Sequence, residues 1–258
     1  MDENSSPKIP RNRHIYLLPN LLTTCGLFAG FYAILAAAGG RFEAACIAIF
    51  IAAVFDGVDG RVARLTGTSS EFGVQYDSLA DLVSFGMAPS LVMYHWALST
   101  MKLDGTLFGK VGWAVAFLYA ACAALRLARF NTQVGSVDKR WFIGLNSPSS
   151  AGLMVSFVWA MNEFGWNGQE LRYFAMALTI ICALLMVSRF RYTSFKGSGQ
   201  SKEREDRVPF VMALVVVAVL VALFIDTPRV LLFMATSYAL SGPALWLWLK
   251  MKPKANAV

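Results

Sequence analysis

Charged residues, histidines and paired cysteines are all scarce in this sequence. Only 15% of the 258 residues are charged and two are histidines, while 57% are hydrophobic and the mean hydropathy is +0.53. Soluble domains usually carry about 25% charged residues. This composition, with its repeated apolar runs of roughly 20 residues, therefore excludes an ordinary soluble protein and indicates an integral membrane protein. The four cysteines lie inside apolar runs without a CxxC spacing, which favours buried thiols over disulfides or zinc ligands.

The sequence also lacks a nucleic-acid-binding motif and a low-complexity segment, and we do not expect a cleavable signal peptide. Its net charge of +7 therefore predicts contact with anionic membrane phospholipids and no nucleic-acid partner. Residues 1–13 are polar and basic, and the apolar run behind them is long enough to span a bilayer. We expect that run to remain in the mature protein as a membrane span.

Eight apolar segments predict an all-α, polytopic membrane protein. They cover residues 15–38, 42–65, 72–99, 111–130, 148–161, 171–187, 208–225 and 230–249. We divide the chain into a cytosolic arm (1–14), a six-helix core (15–190), a charged cytosolic connection (191–207), two C-terminal membrane helices (208–250) and a cytosolic tail (251–258). The last two helices carry little polarity and are predicted to be structural, as an interface or a lipid-facing wall.

The distribution of positive charge predicts the orientation. Eight spans place both termini on one side of the membrane, and all but five of the 23 Lys and Arg residues fall on that side. The exceptions are Arg41, Lys102, Lys110, Arg172 and Arg229. Because positively charged loops stay inside, we expect both termini to face the cytosol, in the cell membrane.

Four aspartates stand at the cytosolic ends of the second and third spans. Asp56 and Asp59 are three residues apart and Asp77 and Asp81 are four apart, so each pair shares one helix face. Like charges at low dielectric need protons or cations. Oxygen ligands suit Mg²⁺ or Mn²⁺, and one or two such ions would also hold a diphosphate. Two simpler alternatives remain open: pairing of these carboxylates with Arg61 and Arg64, or an ion path of a cation transporter.

The aspartates and the small residues between them form a known pattern. The spacing Asp56-x2-Asp59-Gly60-x2-Ala63-Arg64-x8-Gly73-x3-Asp77-x3-Asp81 resembles, without a departure, the signature of the CDP-alcohol phosphatidyltransferase family. The resemblance implies that a hydroxyl attacks the β-phosphorus of a CDP-linked lipid and releases CMP. It also implies that the four aspartates bind two divalent ions, that Asp81 is the base and that the protein is a homodimer. The CDP-binding residues implied are Asp59, Gly60, Ala63, Arg64, Gly73 and Asp77.

Other segments are similar to one branch of that family, the membrane-integral phosphatidylserine synthases of bacteria. They are residues 126–131, 142–148 and 188–196, while Pro19-Asn20-x2-Thr23 resembles the first span of the family as a whole. One departure is Asn146, where the branch has proline. This similarity implies CDP-diacylglycerol as donor and L-serine as acceptor.

The acceptor's carboxylate requires a cationic partner. Arg126 or Arg129 could clamp it, with Asn131 and Ser147 as polar contacts and Arg189 at a phosphate. The two α-helical arginines could equally be an interfacial pair that reaches toward lipid headgroups. Another acceptor, glycerol 3-phosphate or inositol phosphate, remains the main alternative within the family.

Overall fold

The computed structural model describes residues 17–68, 70–133, 141–193 and 210–251. The predicted arm (1–14), the tail beyond Met251 and residues 194–207 of the charged connection lie outside these ranges. The helices are α1 (Leu17–Ala38), α2 (Phe42–Leu65), α3 (Glu71–Asp81), α4 (Ala88–Trp96), α5 (Thr106–Gln133), α6 (Ser147–Glu163), α7 (Arg172–Val187), α8 (Phe210–Ile225) and α9 (Thr227–Met251). A π-helical turn (Leu82–Met87) joins α3 to α4, and a 3₁₀-helix (Leu98–Asp104) precedes α5.

The all-α, polytopic class predicted from the sequence is confirmed. Within the described ranges, α1, α5 and α9 are long and apolar enough to cross a membrane by themselves. Helices α6, α7 and α8 have 17, 16 and 16 residues. They measure about 24–26 Å and fall slightly short of a hydrocarbon core of about 30 Å. Helix α2 is long enough, but its last turns carry the charged motif.

Small side chains hold the first two helices together. Ala33 and Ala36 on α1 and Ala45, Ala48 and Ala52 on α2 are buried where these helices pack along each other. In a membrane, small residues allow two backbones to approach closely, and van der Waals contact replaces the hydrophobic effect as the driving force. The pair forms a firm support for the aspartates at the end of α2.

The third predicted span is interrupted directly after Asp81. The π-helical turn widens the helix at that point, as such turns frequently do at functional sites. Its Ser84 hydroxyl donates to the Gly26 carbonyl of α1 at 3.2 Å, and a Cβ on Gly30 would collide with Ser84. These contacts hold the turn against α1. They therefore fix the position of Asp81, the last residue of α3.

Proline inside a membrane span favours a kink or break, and Pro89 lies at the start of α4. Proline has no N–H, so the carbonyl of Phe85 four residues earlier loses its regular helical donor. The Tyr119 hydroxyl of α5 donates to that carbonyl at 3.2 Å, and Tyr119 is completely buried. A side chain of a neighbouring helix thus satisfies a carbonyl that the membrane interior cannot hydrate.

A short antiparallel pair of strands, which the sequence analysis did not predict, links two loops on one side of the bundle. Strand β1 (Trp141–Ile143) pairs with β2 (Arg191–Thr193), with Phe142 opposite Tyr192. Gly144 follows β1 with φ +81, and its N–H donates to the Phe190 carbonyl at 2.8 Å. A side chain there would run into the Met186 carbonyl, so the close approach of this loop to α7 requires glycine.

Two loops on the opposite side are joined by an ion pair. Arg172 donates from Nε and Nη2 to the two carboxylate oxygens of Asp104, both at 2.6 Å, and the Tyr173 hydroxyl donates to the same carboxylate at 3.0 Å. The guanidinium holds the pKa of Asp104 below its usual value. The α4–α5 and α6–α7 connections are therefore tied together far from the aspartate motif.

The role assigned to Tyr119 predicts the result of a double-mutant cycle. Tyr119→Phe should lower the free energy of unfolding by about 1 kcal/mol, because a buried carbonyl loses its donor. In a Pro89→Ala background, Tyr119→Phe should lower the free energy of unfolding by clearly less, since alanine supplies the backbone N–H that proline lacks. Equilibrium unfolding in mixed SDS micelles measures both. Equal costs in the two backgrounds would show that Tyr119 does not substitute for the missing donor.

Candidate active site

Three of the four motif aspartates converge where α2 meets α3. One carboxylate oxygen from each of Asp56, Asp59 and Asp77 lies within 4.8 Å of the others. Asp59 is buried, and the other two are partly exposed. Asp81 lies one helical turn beyond Asp77, and all four carboxylates border one narrow space closed by α1 and the π-helical turn. We call these four residues the aspartate cluster.

Helix α1 fixes the most buried carboxylate of the cluster. The Thr23 hydroxyl lies 2.6 Å from Asp59 Oδ2 and 3.1 Å from the Pro19 carbonyl. A hydroxyl has a single proton, and the shorter distance and the charge favour donation to the carboxylate. Thr23 itself is buried. The Asp59 carboxylate is therefore held in one orientation by a side chain from another helix.

The donor set of the cluster fits a hard divalent cation. The group of three close ligands consists of carboxylates alone, which suits Mg²⁺ or Mn²⁺ better than a soft metal. Three carboxylates this close, one of them buried, repel one another strongly unless positive charge neutralises them. The cluster could hold such an ion through Asp56, Asp59 and Asp77, with Asp81 beside it.

A polar cavity of about 200 Å³ adjoins the cluster. All six residues predicted to bind CDP line it: Asp59, Gly60, Ala63, Arg64, Gly73 and Asp77. A Cβ on Gly73 would be crowded, at 3.2 Å from Ser70 Oγ, whereas one on Gly60 would make an ordinary contact with Arg64 Nη1 at 3.5 Å. Ser70 caps α3 by accepting the Gly73 N–H at 3.0 Å.

Sequence reasoning assigned no function to the α1 side of this cavity. Pro19, Asn20 and Thr23 line it opposite the motif. The segment Pro19-Asn20-x2-Thr23 was noticed as similar to the family's first span, so a signal was present. The role of this segment in orienting Asp59 follows only from the contact between Thr23 and Asp59. These residues are 36 positions apart, so the sequence alone does not relate them.

A second and larger cavity, of about 820 Å³, lies on the other side of the cluster. Asp56, Asp77 and Asp81 form part of its wall. Its remaining polar lining comes from Arg126, Asn146, Ser149, Ser237 and Tyr238. Its apolar lining includes Phe50, Leu127, Phe130, Leu231, Phe233 and Met234. We call this space the amphipathic chamber; its volume is within the range of small-molecule sites.

Arg126 is the cation of the chamber wall. Its Nη1 donates to the Ser147 hydroxyl at 2.8 Å. Its Nε is buried and has no hydrogen-bond partner within the described part of the chain. Asn146, which stands where proline was expected, caps α6 by accepting the Ser149 N–H at 2.9 Å. Asn146 in place of the expected proline therefore still gives α6 a capped N-terminus.

The other predicted acceptor contacts lie elsewhere. Asn131 donates from Nδ2 to the Ser78 hydroxyl of α3 at 2.9 Å. Arg129 is partly exposed near the end of α5, and Arg189 is exposed just after α7. The structure therefore places Arg126 in the chamber wall with the buried Ser147 as its hydrogen-bond partner. Asn131 is tied to α3 through Ser78, and Arg129 and Arg189 do not line either cavity.

Helix α9 borders the chamber, a position that its own sequence did not indicate. It was predicted to be structural, as an interface or a lipid-facing wall, and in the structure Leu231, Met234, Ala235 and Tyr238 line the chamber. These positions follow the i, i+3, i+4, i+7 spacing of a single helix face. A mostly apolar helix gives no sign, in its own sequence, of what its inward face borders.

Comparisons with known proteins point to one family. The family model described as CDP-alcohol phosphatidyltransferase matches residues 16–188. A Helicobacter pylori protein named CDP-diacylglycerol–serine O-phosphatidyltransferase is 34% identical over 238 residues, which cover 92% of this chain and 94% of the relative. A Mycobacterium tuberculosis protein of the same name is 35% identical over 70% of this chain and 63% of its own length. An archaetidylserine synthase of Methanothermobacter thermautotrophicus is 34% identical over 71% and 72%, respectively.

The contact between Thr23 and Asp59 predicts a change in metal affinity. Thr23→Val should weaken Mn²⁺ binding about tenfold, because partners of a ligand that orient it typically contribute 10–100-fold. Thr23→Ser, which keeps the hydroxyl, should remain close to the wild type. The measurement is the Mn²⁺ concentration that half-maximally raises the unfolding temperature of the purified protein.

Thr24→Val is the matched control, since Thr24 is the next residue on α1 and its hydroxyl has other partners. That hydroxyl hydrogen-bonds the Asn20 carbonyl of α1 and the Tyr76 hydroxyl of α3. Its Mn²⁺ dependence should not change. If Thr23→Val also retained the wild-type midpoint, Thr23 would have no part in positioning the Asp59 carboxylate for a metal.

Proposed function

Because the chain belongs to the CDP-alcohol phosphatidyltransferase family, we propose that it is a phosphatidylserine synthase. It transfers the phosphatidyl group of CDP-diacylglycerol to the hydroxyl of L-serine and releases CMP. One observation carries this proposal: the aspartate cluster lies between a polar cavity that suits a nucleotide and an amphipathic chamber that suits a lipid and a small acceptor. Transfer needs both substrates at one phosphorus atom, and the cluster is where the two spaces meet.

The donor's nucleotide occupies the polar cavity in this proposal. Gly60, Ala63 and Gly73 leave room for it, and Arg64 supplies positive charge at the rim. Asp56, Asp59, Asp77 and Asp81 would hold Mg²⁺ or Mn²⁺ against its diphosphate. A bound divalent ion supplies neutralisation of the diphosphate and of the charge that develops on the leaving CMP.

Asp81 is proposed as the base, since it borders both the narrow space of the cluster and the amphipathic chamber. The serine hydroxyl oxygen forms a new bond to the β-phosphorus, the bond from that phosphorus to the CMP oxygen breaks, and the hydroxyl proton passes to Asp81. Arg126, supported by Ser147, binds the serine carboxylate. Arg129, Asn131 and Arg189 stay secondary candidates for binding serine or a lipid phosphate.

The choice of acceptor rests on charge and on the names of the relatives. Arg126 is the cationic side chain among the described residues that line the chamber, whereas a phosphorylated alcohol such as glycerol 3-phosphate needs more than one cationic contact. The relatives' names share serine even where the lipid differs, as in the archaetidylserine synthase. A cation transporter is disfavoured, because a separate cavity lined by Gly60, Ala63 and Arg64 beside the cluster has no use in an ion path.

Location and assembly are part of the same proposal. The excess of Lys and Arg on one side supports insertion in the cytoplasmic membrane with the cluster toward the cytosol, where a water-soluble amino acid can reach it. The family resemblance supports a homodimer.

The direct experiment is CMP release from CDP-diacylglycerol by the purified protein with Mn²⁺ or Mg²⁺. L-serine, glycerol 3-phosphate and inositol phosphate are supplied in separate reactions. We expect release with L-serine alone and loss of release on chelation of the metal. Release with a phosphorylated alcohol and not with serine would keep the family chemistry and refute the proposed acceptor.

Asp81→Asn should reduce turnover by at least 100-fold while CDP-diacylglycerol still binds, because general-base contributions are about 10²–10⁴-fold. Turnover is measured as CMP release and binding as a ligand-induced rise in unfolding temperature. Asp226→Asn, in the loop between α8 and α9, is the control and should leave turnover unchanged. A near-normal rate for Asp81→Asn would show that another group takes the proton.

A further inference from the structure

Helix α9 lies outside the segment that defines the family, yet it completes the space beside the catalytic motif. The family match ends at residue 188, and α9 begins at Thr227. Its inward face contributes Leu231, Met234 and Tyr238 to the chamber lining. Whatever binds in the chamber therefore touches a helix that the shared motif does not describe.

Tyr238 is held in place by contacts with β2. The Tyr192 hydroxyl donates to the Ala239 carbonyl of α9 at 3.1 Å. The Tyr192 ring lies against Gly242, and a Cβ on Gly242 would collide with that ring. The rings of Tyr192 and Tyr238 are 5.5 Å apart between centroids. Since Tyr192 is completely buried, it anchors this part of α9 to the strand pair, and the Tyr238 ring has a defined position at the chamber wall.

Arg126 faces the same chamber from α5. It is committed to Ser147 through Nη1, while its buried Nε has no partner among the described residues. A guanidinium N–H and a phenolic O–H are both donors, and together they match the two oxygens of a carboxylate. The acidic wall formed by Asp77 and Asp81 borders the same chamber. An amino acid with a hydroxyl side chain fits these walls with its carboxylate toward the donors and its hydroxyl toward Asp81.

We propose that Tyr238 is a specificity-determining residue of the acceptor site, where its hydroxyl donates to the carboxylate of the amino-acid acceptor alongside Arg126. This inference rests on the proposed function, because it takes serine as the acceptor. Helix α9 and its anchor in β2 then have a functional purpose, which is to carry one donor of the acceptor site.

The test is steady-state CMP release by Tyr238→Phe with L-serine and CDP-diacylglycerol varied separately. Loss of one hydrogen bond to a charged group should raise the KM for L-serine about tenfold. The kcat and the KM for CDP-diacylglycerol should stay within about twofold, since the ring that packs on Tyr192 is unchanged. Tyr173→Phe, which removes a hydroxyl on the opposite side of the bundle, is the matched control and should change none of these constants.

The outcomes separate this inference from the proposed function. If the wild type shows no serine-dependent CMP release, the proposed function is wrong and this inference is overturned with it. If the wild type is active but Tyr238→Phe keeps the wild-type KM for serine, Tyr238 does not bind the acceptor. Tyr238→Leu, which removes the ring as well as the hydroxyl, is measured beside Tyr238→Phe. If only Tyr238→Leu raises the KM for L-serine, or if Tyr238→Phe raises the KM values for L-serine and CDP-diacylglycerol equally, Tyr238 has a packing role only and the inference is overturned.

Discussion

The mutual repulsion of the motif aspartates is the constraint on which the rest of the structure depends. Three carboxylates lie within 4.8 Å of one another and a fourth stands one turn away, at the end of the largely apolar helix α2 and on the short helix α3. Such an arrangement is stable only if the neighbouring helices hold the side chains in place and protons or a cation offset their charge. Thr23 orients Asp59, and the π-helical turn fixes the end of α3. These contacts have in common that α1 makes them, which explains why the first helix packs so closely against the motif.

The position of the cluster between two unlike cavities connects this constraint to chemistry. The polar cavity is lined by residues of the motif and by α1, whereas the amphipathic chamber joins the motif aspartates to α5, α6 and α9, which are distant in sequence. A transferase needs such a division, because its donor carries a nucleotide and a lipid while its acceptor is small and polar. In this account, the signature supplies the phosphoryl chemistry and the chamber supplies the choice of acceptor.

Much of this could be predicted from the sequence, for reasons that are local. Helical spacing alone placed Asp56 beside Asp59 and Asp77 beside Asp81, and the apolar runs predicted most of the membrane helices to within a few residues. Contacts between distant segments could not be predicted in that way. The pairing of Arg126 with Ser147, the anchoring of α9 by Tyr192 and the strand pair all join residues that no periodicity relates. Likewise, Pro89 signalled a break in the third span, but not that Tyr119 would satisfy the carbonyl it leaves.

The central claim is that a divalent cation at the aspartate cluster holds the diphosphate of the donor lipid. Pulsed electron–nuclear double resonance of Mn²⁺ bound to the purified protein tests this claim most directly, because a ³¹P hyperfine coupling reports direct coordination of a phosphate. We expect ³¹P coupling to appear when CDP-diacylglycerol is added and to be absent in the Asp59→Asn and Asp77→Asn variants. Mn²⁺ that binds the wild type but shows no ³¹P coupling when the lipid is bound would contradict the account.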